Sequence, residues 1–203
     1  MKHLYLNLKR FDVLRQYGGV NSLAEPRAWG STIVKGIQQQ LAAHDGFEYV
    51  AFLPEAHIIP AVTALDQESV LRIGCQSVFR LDTSIGGNFG AFTSHRSANS
   101  MVALGCRDTI IGHCEERAAY AAVLQEAGVT ESSSINRLLN QQVRRAVEAG
   151  MSVLYCIGEQ AEEQEQWQTV LERQLTVGLE GVDRSKVVIA YEPVWSIGPG
   201  KTP

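Results

Sequence analysis

With 203 residues, 45% of them hydrophobic, the chain can bury a substantial core, and a single domain over 1–203 is the expectation. A net charge of −4 with 20% charged residues offers no basic face to nucleic acid. No apolar run is long enough to span a bilayer, and Met1 to Asn7 lacks a signal-peptide core. Neither nucleic acid nor a membrane is therefore an expected partner.

Short apolar strands alternate with longer helical patterns. The first strand is expected over Leu4 to Leu8, and a helix from about Pro26, a good first-turn residue, to Ala43. Tyr49 to Leu53 reads as a second strand, His57 to Ser69 as a weakly marked helix, and Leu71 to Cys75 as a third strand. A Gly-, Ser- and Asn-rich loop fills Ser77 to Arg96, followed by a short helix near Ser97 to Leu104 and a strand over Thr109 to Gly112. Helices are expected over Glu115 to Ala127 and over Ile135 to Ala149, the latter stopped by Gly150. Met151 to Ile157 is a fifth strand, Glu162 to Leu179 a polar-faced helix, and Val187 to Tyr191 a sixth strand. Within the Glu/Gln-rich run Glu159 to Gln168, a solvated helix face with Trp167 turned inward is expected. Six strand–helix repeats with near-continuously apolar strands indicate an α/β fold, a parallel sheet covered by helices.

Cys75, Cys106, Cys114 and Cys156 form no Cys-x-x-Cys pair, which fits reduced thiols in a cytoplasmic protein better than a disulfide framework or a zinc site. His3, His44, His57 and His95 show no metal-ligand spacing. Gly198-Pro199-Gly200-Lys201-Thr202 imitates the end of a phosphate-binding P-loop, but Trp195 stands where that motif needs a glycine. Gly86-Gly87-Asn88-Phe89-Gly90 matches no nucleotide fingerprint and reads as a surface loop.

In parallel folds ligands gather at the carboxyl ends of the strands. Reading each strand to its end gives Asn7 and Lys9, Gln76, His113 with Glu115, Cys156 to Glu159, and Glu192. A histidine just before a helix sits at the positive end of the dipole, which disfavours the imidazolium. His113 as a plain helix cap, Glu192 paired with an arginine, and Lys9 as a surface lysine remain the structural alternatives. Together the three suit proton abstraction beside a carbonyl: the carboxylate takes the proton, the imidazole polarises the oxygen, and the lysine stabilises negative charge. The segment after the sixth strand, a stiff Pro193-Val194-Trp195 and then a tip at Gly198-Pro199-Gly200, suits a loop able to close over a substrate.

The run Ala190-Tyr191-Glu192-Pro193-Val194-Trp195-Ser196-Ile197-Gly198-Pro199-Gly200-Lys201-Thr202 resembles the signature and lid loop of the triosephosphate isomerase family. Asn7-Leu8-Lys9, Gly90-Ala91-Phe92-Thr93, Ile111-Gly112-His113-Cys114-Glu115 and Cys156-Ile157-Gly158-Glu159 match further family segments in order. The resemblance implies a TIM (β/α)8 barrel and an aldose–ketose isomerase of triose phosphates that works without metal or cofactor, as a cytoplasmic homodimer. It implies Glu192 as general base and His113 as neutral electrophile, roles that belong to the family. It implies that Asn7 and Lys9 bind the substrate, that Glu115 supports Lys9, and that Gly198 offers its N–H to the phosphate. Gln76 and Thr93 would shape the site and the subunit contact.

Departures from the family pattern are also present. Leu8 lies between Asn7 and Lys9, Arg10-Phe11-Asp12 follows, and Ser94-His95 replaces a Gly-Glu pair on the loop that reaches a partner subunit. Cys114 stands in place of a serine that helps position the base, and Glu116 in place of an arginine. These point to a paralogue acting on a related short phosphosugar such as a tetrulose phosphate, or to a non-catalytic relic, as alternatives. A closed barrel needs eight strand–helix units and about 250 residues, so six units lead to the expectation that the C-terminal part is missing.

Overall fold

The computed structural model describes residues 2–44, 46–129, 131 and 133–197. Its six strands are β1 (Lys2–Asn7), β2 (Phe47–Leu53), β3 (Leu71–Gln76), β4 (Asp108–Ile111), β5 (Ser152–Ile157) and β6 (Val187–Tyr191). The hydrogen-bonded order follows the chain, β1-β2-β3-β4-β5-β6. The helices are α1 (Trp29–Leu41), α2 (Glu55–Thr63), α3 (Ala98–Ala103), α4 (Cys114–Glu126), α5 (Ser134–Glu148) and α6 (Trp167–Gly178). Contacts divide the chain into two compact units, Met1–Gln76 with Asn99–Thr109 and Ser77–Ala98 with Ile110–Pro203.

In the first unit β1, β2 and β3 run parallel, with Leu4 opposite Tyr49 and Asn7 opposite Phe52, then Ala51 opposite Ile73 and Leu53 opposite Cys75. Val50, Ala51, Phe52 and Leu53 of β2 are all buried, because a parallel strand covered on both faces needs apolar side chains at every position. Val34 of α1 and Ile58 and Ala61 of α2 pack into the same core. Gly74 lets β3 approach its neighbours: a Cβ there would meet the Phe52 ring at 2.5 Å and the Asp108 carbonyl at 2.9 Å. Asp108 pairs with Arg72 through two hydrogen bonds of 2.8 and 2.9 Å. The loop after β1 is anchored by Asp12, which takes Arg10 at 3.0 and 2.7 Å and the buried His57 Nε2 at 3.1 Å. Burial pushes the Asp12 carboxyl up, but the His57 and Arg10 hydrogen bonds outweigh it and hold it below the ordinary range.

In the second unit β5 and β6 run parallel, Tyr155 opposite Ile189 and Ile157 opposite Tyr191. Val153, Tyr155 and Cys156 of β5 are buried, and α5 contributes Leu139, Val143 and Ala146, a stripe at helical spacing. Gly150 ends α5 with φ of 85°, the left-handed stop anticipated from the sequence.

Most expected boundaries agree within two residues, and four features differ. The second helix is α2, which begins earlier, at Glu55 after Pro54, with an acidic residue in its first turn to complement the dipole. It ends at Thr63 because Gln38 captures the following loop, donating to the Ala64 carbonyl at 3.1 Å and accepting from Asp66 N at 2.9 Å. The Glu/Gln-rich run is not α-helical. Ala161–Gln166 forms a 3-10 turn closed by a capping box between Gln160 and Glu163, and the α-helix starts only at Trp167. Trp167 is 47% exposed rather than turned inward, and it flanks an apolar hollow with Ile157, Leu171, Tyr191 and Trp195. Glu159, placed on the solvated run, is 2% exposed. It sits at the end of a strand, where the chain is still inside the core.

Candidate active site

Two clusters of the expected residues form, one in each unit. In the first, β1 ends at Asn7 and the chain turns sharply, with Lys9 at φ of 42°, a left-handed conformation that costs a non-glycine residue about 1–2 kcal/mol. Two side chains hold that turn. Asn7 Oδ1 accepts the Lys9 backbone N–H at 3.0 Å, and Gln76 Nε2 donates to the Lys9 carbonyl at 2.9 Å and lies 3.3 Å from Asn7 Oδ1. Neighbours on two strands thus hold Lys9 in this backbone conformation.

In the second unit β4 ends at Ile111, Gly112 turns the chain with φ of 81°, and His113 caps α4. Only glycine fits at 112, since a Cβ would meet the Cys156 carbonyl at 2.9 Å. Glu192 follows β6 directly, its N–H bonded to the Ile157 carbonyl at 2.7 Å. The two side chains meet, His113 Nε2 lying 2.8 Å from Glu192 Oε1. The other carboxylate oxygen accepts the Cys114 N–H at 3.2 Å, at the start of α4 where the helix presents unpaired amides. His113 Nδ1 accepts the Glu115 N–H at 3.3 Å. A backbone N–H can only donate, so Nδ1 is unprotonated and the proton sits on Nε2, facing Glu192.

Burial pushes the Glu192 carboxyl up, yet it is held below the usual range, first by the His113 hydrogen bond and then by the Cys114 N–H and the Cys156 thiol. Cys156 feels the converse: burial and the Glu192 carboxylate push its thiol well up. Glu115 stands beside the cluster, its Oε2 3.5 Å from His113 Nδ1 and its side chain largely exposed. The Cys114 thiol, at 3.5 Å, lies by the same nitrogen. No arginine pairs with Glu192 among the contacts of the described residues, and Gly198 lies outside the described residues.

Three supports were not foreseen in the sequence. Arg117 bridges the ends of β4 and β5, donating to the Gly112 carbonyl at 2.8 Å, the Cys156 carbonyl at 2.9 Å, Asn136 at 2.9 Å and the Tyr155 hydroxyl at 3.2 Å. Glu159 receives the Tyr191 hydroxyl at 3.0 Å and the Trp195 indole N–H at 2.6 Å, gripping the chain on both sides of Glu192. Glu116 accepts the Gly112 N–H at 2.7 Å and a Gln142 amide at 3.0 Å, and bonds the Ser77 hydroxyl. For Glu159 the signal was its place at a strand end; for Arg117 and Glu116 only their nearness to His113 pointed to them.

A family model described as triosephosphate isomerase matches residues 24–203. The chain belongs to the triosephosphate isomerase family. Relatives named triosephosphate isomerase include that of Dehalococcoides mccartyi, 34% identical over 172 residues, covering 84% of this chain and 60% of the relative. That of Syntrophotalea carbinolica is 38% identical over 149 residues, 71% of this chain and 52% of the relative. The crystal structure of triosephosphate isomerase from Bartonella henselae superposes with a TM-score of 0.68 at 25% identity, covering 96% of this chain and 68% of that one. The expected fold family is thereby established, with six parallel strands of the TIM-barrel type in this chain. The chain spans about 60% of the length of the first curated relatives it matches.

Proposed function

We propose that the protein is a triosephosphate isomerase, interconverting dihydroxyacetone phosphate and glyceraldehyde 3-phosphate through an enediolate. The observation that carries this reading is the orientation of His113, with Nδ1 filled by a backbone donor and Nε2–H aimed at the Glu192 carboxylate 2.8 Å away. A neutral N–H donor facing a carboxylate is the pair needed to move a proton between adjacent carbons.

The chemistry follows from inserting a substrate between them. The carbonyl oxygen of the sugar takes over the Nε2–H from Glu192, so the imidazole polarises the C=O while the carboxylate is released toward the neighbouring C–H. Glu192 removes that proton, the C–H electron pair forms the enediolate C=C, and negative charge grows on the oxygen bonded to His113. The hydroxyl proton on the deprotonated carbon then passes to the charged oxygen by way of His113. That hydroxyl becomes the new C=O as the C=C electrons take back the proton from Glu192 at the other carbon, and the isomerisation is complete. Because Glu192 is held in its ionised form, it is ready as a base at neutral pH.

Lys9 and Asn7 take the substrate-binding roles implied by the family, the lysine neutralising developing charge, and Gly198 the phosphate contact. The partner is a small phosphorylated sugar, and the working form a cytoplasmic homodimer. The departures at Leu8, Ser94-His95, Cys114 and Glu116 keep a four-carbon ketose phosphate as the second substrate to test. A coupled assay of the full-length protein with dihydroxyacetone phosphate and with tetrulose phosphates tests the reading. Turnover of the triose phosphate supports it, faster turnover of a tetrulose phosphate reassigns the substrate, and a folded protein inactive on both sinks it.

A further inference from the structure

His113 caps α4, and three consecutive residues of that helix's first turn act on the segment that carries it. The Glu115 N–H donates to His113 Nδ1 at 3.3 Å and fixes the ring. Glu116 Oε2 accepts the Gly112 N–H at 2.7 Å, and Arg117 Nε donates to the Gly112 carbonyl at 2.8 Å. That N–H and that carbonyl belong to the two peptide planes flanking one Cα, so holding both fixes φ and ψ of Gly112. A glycine otherwise passes between positive and negative φ at little cost, and this one sits at φ of 81°. A change in either angle swings the next residue, His113, whose Nε2 lies 2.8 Å from Glu192 Oε1. Both holders are themselves braced. Glu116 Oε1 takes a Gln142 amide at 3.0 Å and the Ser77 hydroxyl, and Arg117 also donates to Asn136 at 2.9 Å and to the Cys156 carbonyl at 2.9 Å.

We infer that Glu116 and Arg117 are positioning residues for the isomerase reaction: together they set the Gly112 turn, and that turn holds His113 Nε2–H on the Glu192 side of the site. They act through His113, by hydrogen bonds rather than by charge. Glu116 is the part particular to this chain. It stands in place of an arginine, and a guanidinium has donors but no acceptor, so it could not receive the Gly112 N–H. Burial and then the Glu116 carboxylate push the Tyr120 hydroxyl up, so a charge at 116 is felt nearby and has to be told apart from the hydrogen bond. The effect on turnover rests on the isomerase reading, whereas the placement of the ring does not.

Two conservative variants of the full-length protein separate reach from charge. Glu116→Asp keeps the charge but withdraws the carboxylate by one methylene. Glu116→Gln loses the charge but keeps an oxygen for the Gly112 N–H, with the Ser77 hydroxyl able to accept from the new amide. In the isomerase assay Glu116→Asp should lower kcat by about 10²-fold, the order expected for a misplacement near 1 Å, with KM changed by less than about threefold. Glu116→Gln should lose less than about tenfold. Arg117→Lys replaces a fork with a single ammonium and should also lower kcat, by about tenfold or more. The double variant Glu116→Asp, Arg117→Lys should lose less than the product of the two single losses, because both residues act on one glycine. NMR with histidine labelled at the ring nitrogens reads the imidazole directly, His113 being identified by its absence from His113→Gln. The His113 Nε2–H proton should be visible in the wild type and in Glu116→Gln, and lost to exchange with water in Glu116→Asp. Wild-type kcat and a wild-type signal in Glu116→Asp overturn the inference, as does a signal absent from the wild type, or Glu116→Gln proving the more damaged of the two. A signal that responds as expected in a protein turning over no phosphosugar leaves the positioning role standing and removes the isomerase reading. Isomerase turnover with a His113 signal indifferent to residue 116 does the reverse.

Discussion

Glu192 Oε1 and His113 Nε2 are 2.8 Å apart at the ends of two parallel strands, with the second carboxylate oxygen on the amide that opens α4. The Glu192 carboxylate thus rests on the imidazole and on a helix N-terminus. Shortening the side chain by one methylene in Glu192→Asp withdraws the carboxylate from both partners. Turnover should fall by about 10²-fold, the order expected for a misplacement near 1 Å, while KM changes little. Steady-state kinetics of the variant checks this, and an unchanged kcat would make Glu192 a structural residue.

The strand pattern, the order of the elements and most of this pair could be read from the residues, because apolar strands ending in ionisable side chains leave a plain mark. The supports could not. Glu159 sits in a run of Glu and Gln that has the composition of a solvated helix, and only the fold shows it under Tyr191 and Trp195. Trp167 failed for a related reason: aromatic character signals burial only if a neighbour covers the ring, and here it lies half open on an apolar hollow. Arg117 draws its meaning from carbonyls on two strands that no local pattern joins. Lys9 was legible as a strand-end lysine, but its left-handed backbone and the grip of Asn7 and Gln76 depend on a contact 67 residues away in the chain.

His113→Gln separates the electrophile from the helix cap. The glutamine amide can still accept the Glu115 N–H but cannot present a ring N–H to the substrate in the same geometry. Turnover should fall by about 10²-fold or more, in the range of a lost acid–base group, with the thermal midpoint nearly unchanged. A large drop in the midpoint with activity retained per folded molecule would instead make His113 a cap and nothing more.

Glu192 also sets a pH dependence. Its folded-state carboxyl lies below the ordinary glutamate range, so it favours the folded state when ionised. That contribution is fully present above the unfolded value of about 4.3 and is lost as pH falls through the lower folded value. The slope belongs to the region below about pH 4.3, and Glu192→Gln should flatten it in acid-unfolding curves. With Glu192 as the proposed base, the acid limb of kcat/KM should likewise lie below that point, since its carboxylate is ionised in the free protein. An acid limb near neutrality would show that another group controls the rate.

Gly158 gives a test of how the base is placed without touching it. A Cβ there would come within 1.7 Å of the Glu192 carbonyl oxygen, which no side-chain adjustment relieves because the neighbour is backbone. The same glycine is clamped from the other side by Gln174, whose amide accepts the Gly158 N–H at 2.9 Å and donates to its carbonyl at 2.8 Å. Gly158→Ala must therefore push the end of β6 away from β5 or tear the Gln174 pair. The cost should be about 2–4 kcal/mol of stability, read from denaturant unfolding, in line with strain at an over-determined backbone position. Because Glu192 moves with its own backbone, activity at temperatures where the variant is folded should also fall by about 10²-fold, with Glu192 itself intact. A Gly158→Ala protein of normal stability and turnover would show that β5 and β6 do not need this approach to hold the carboxylate on His113.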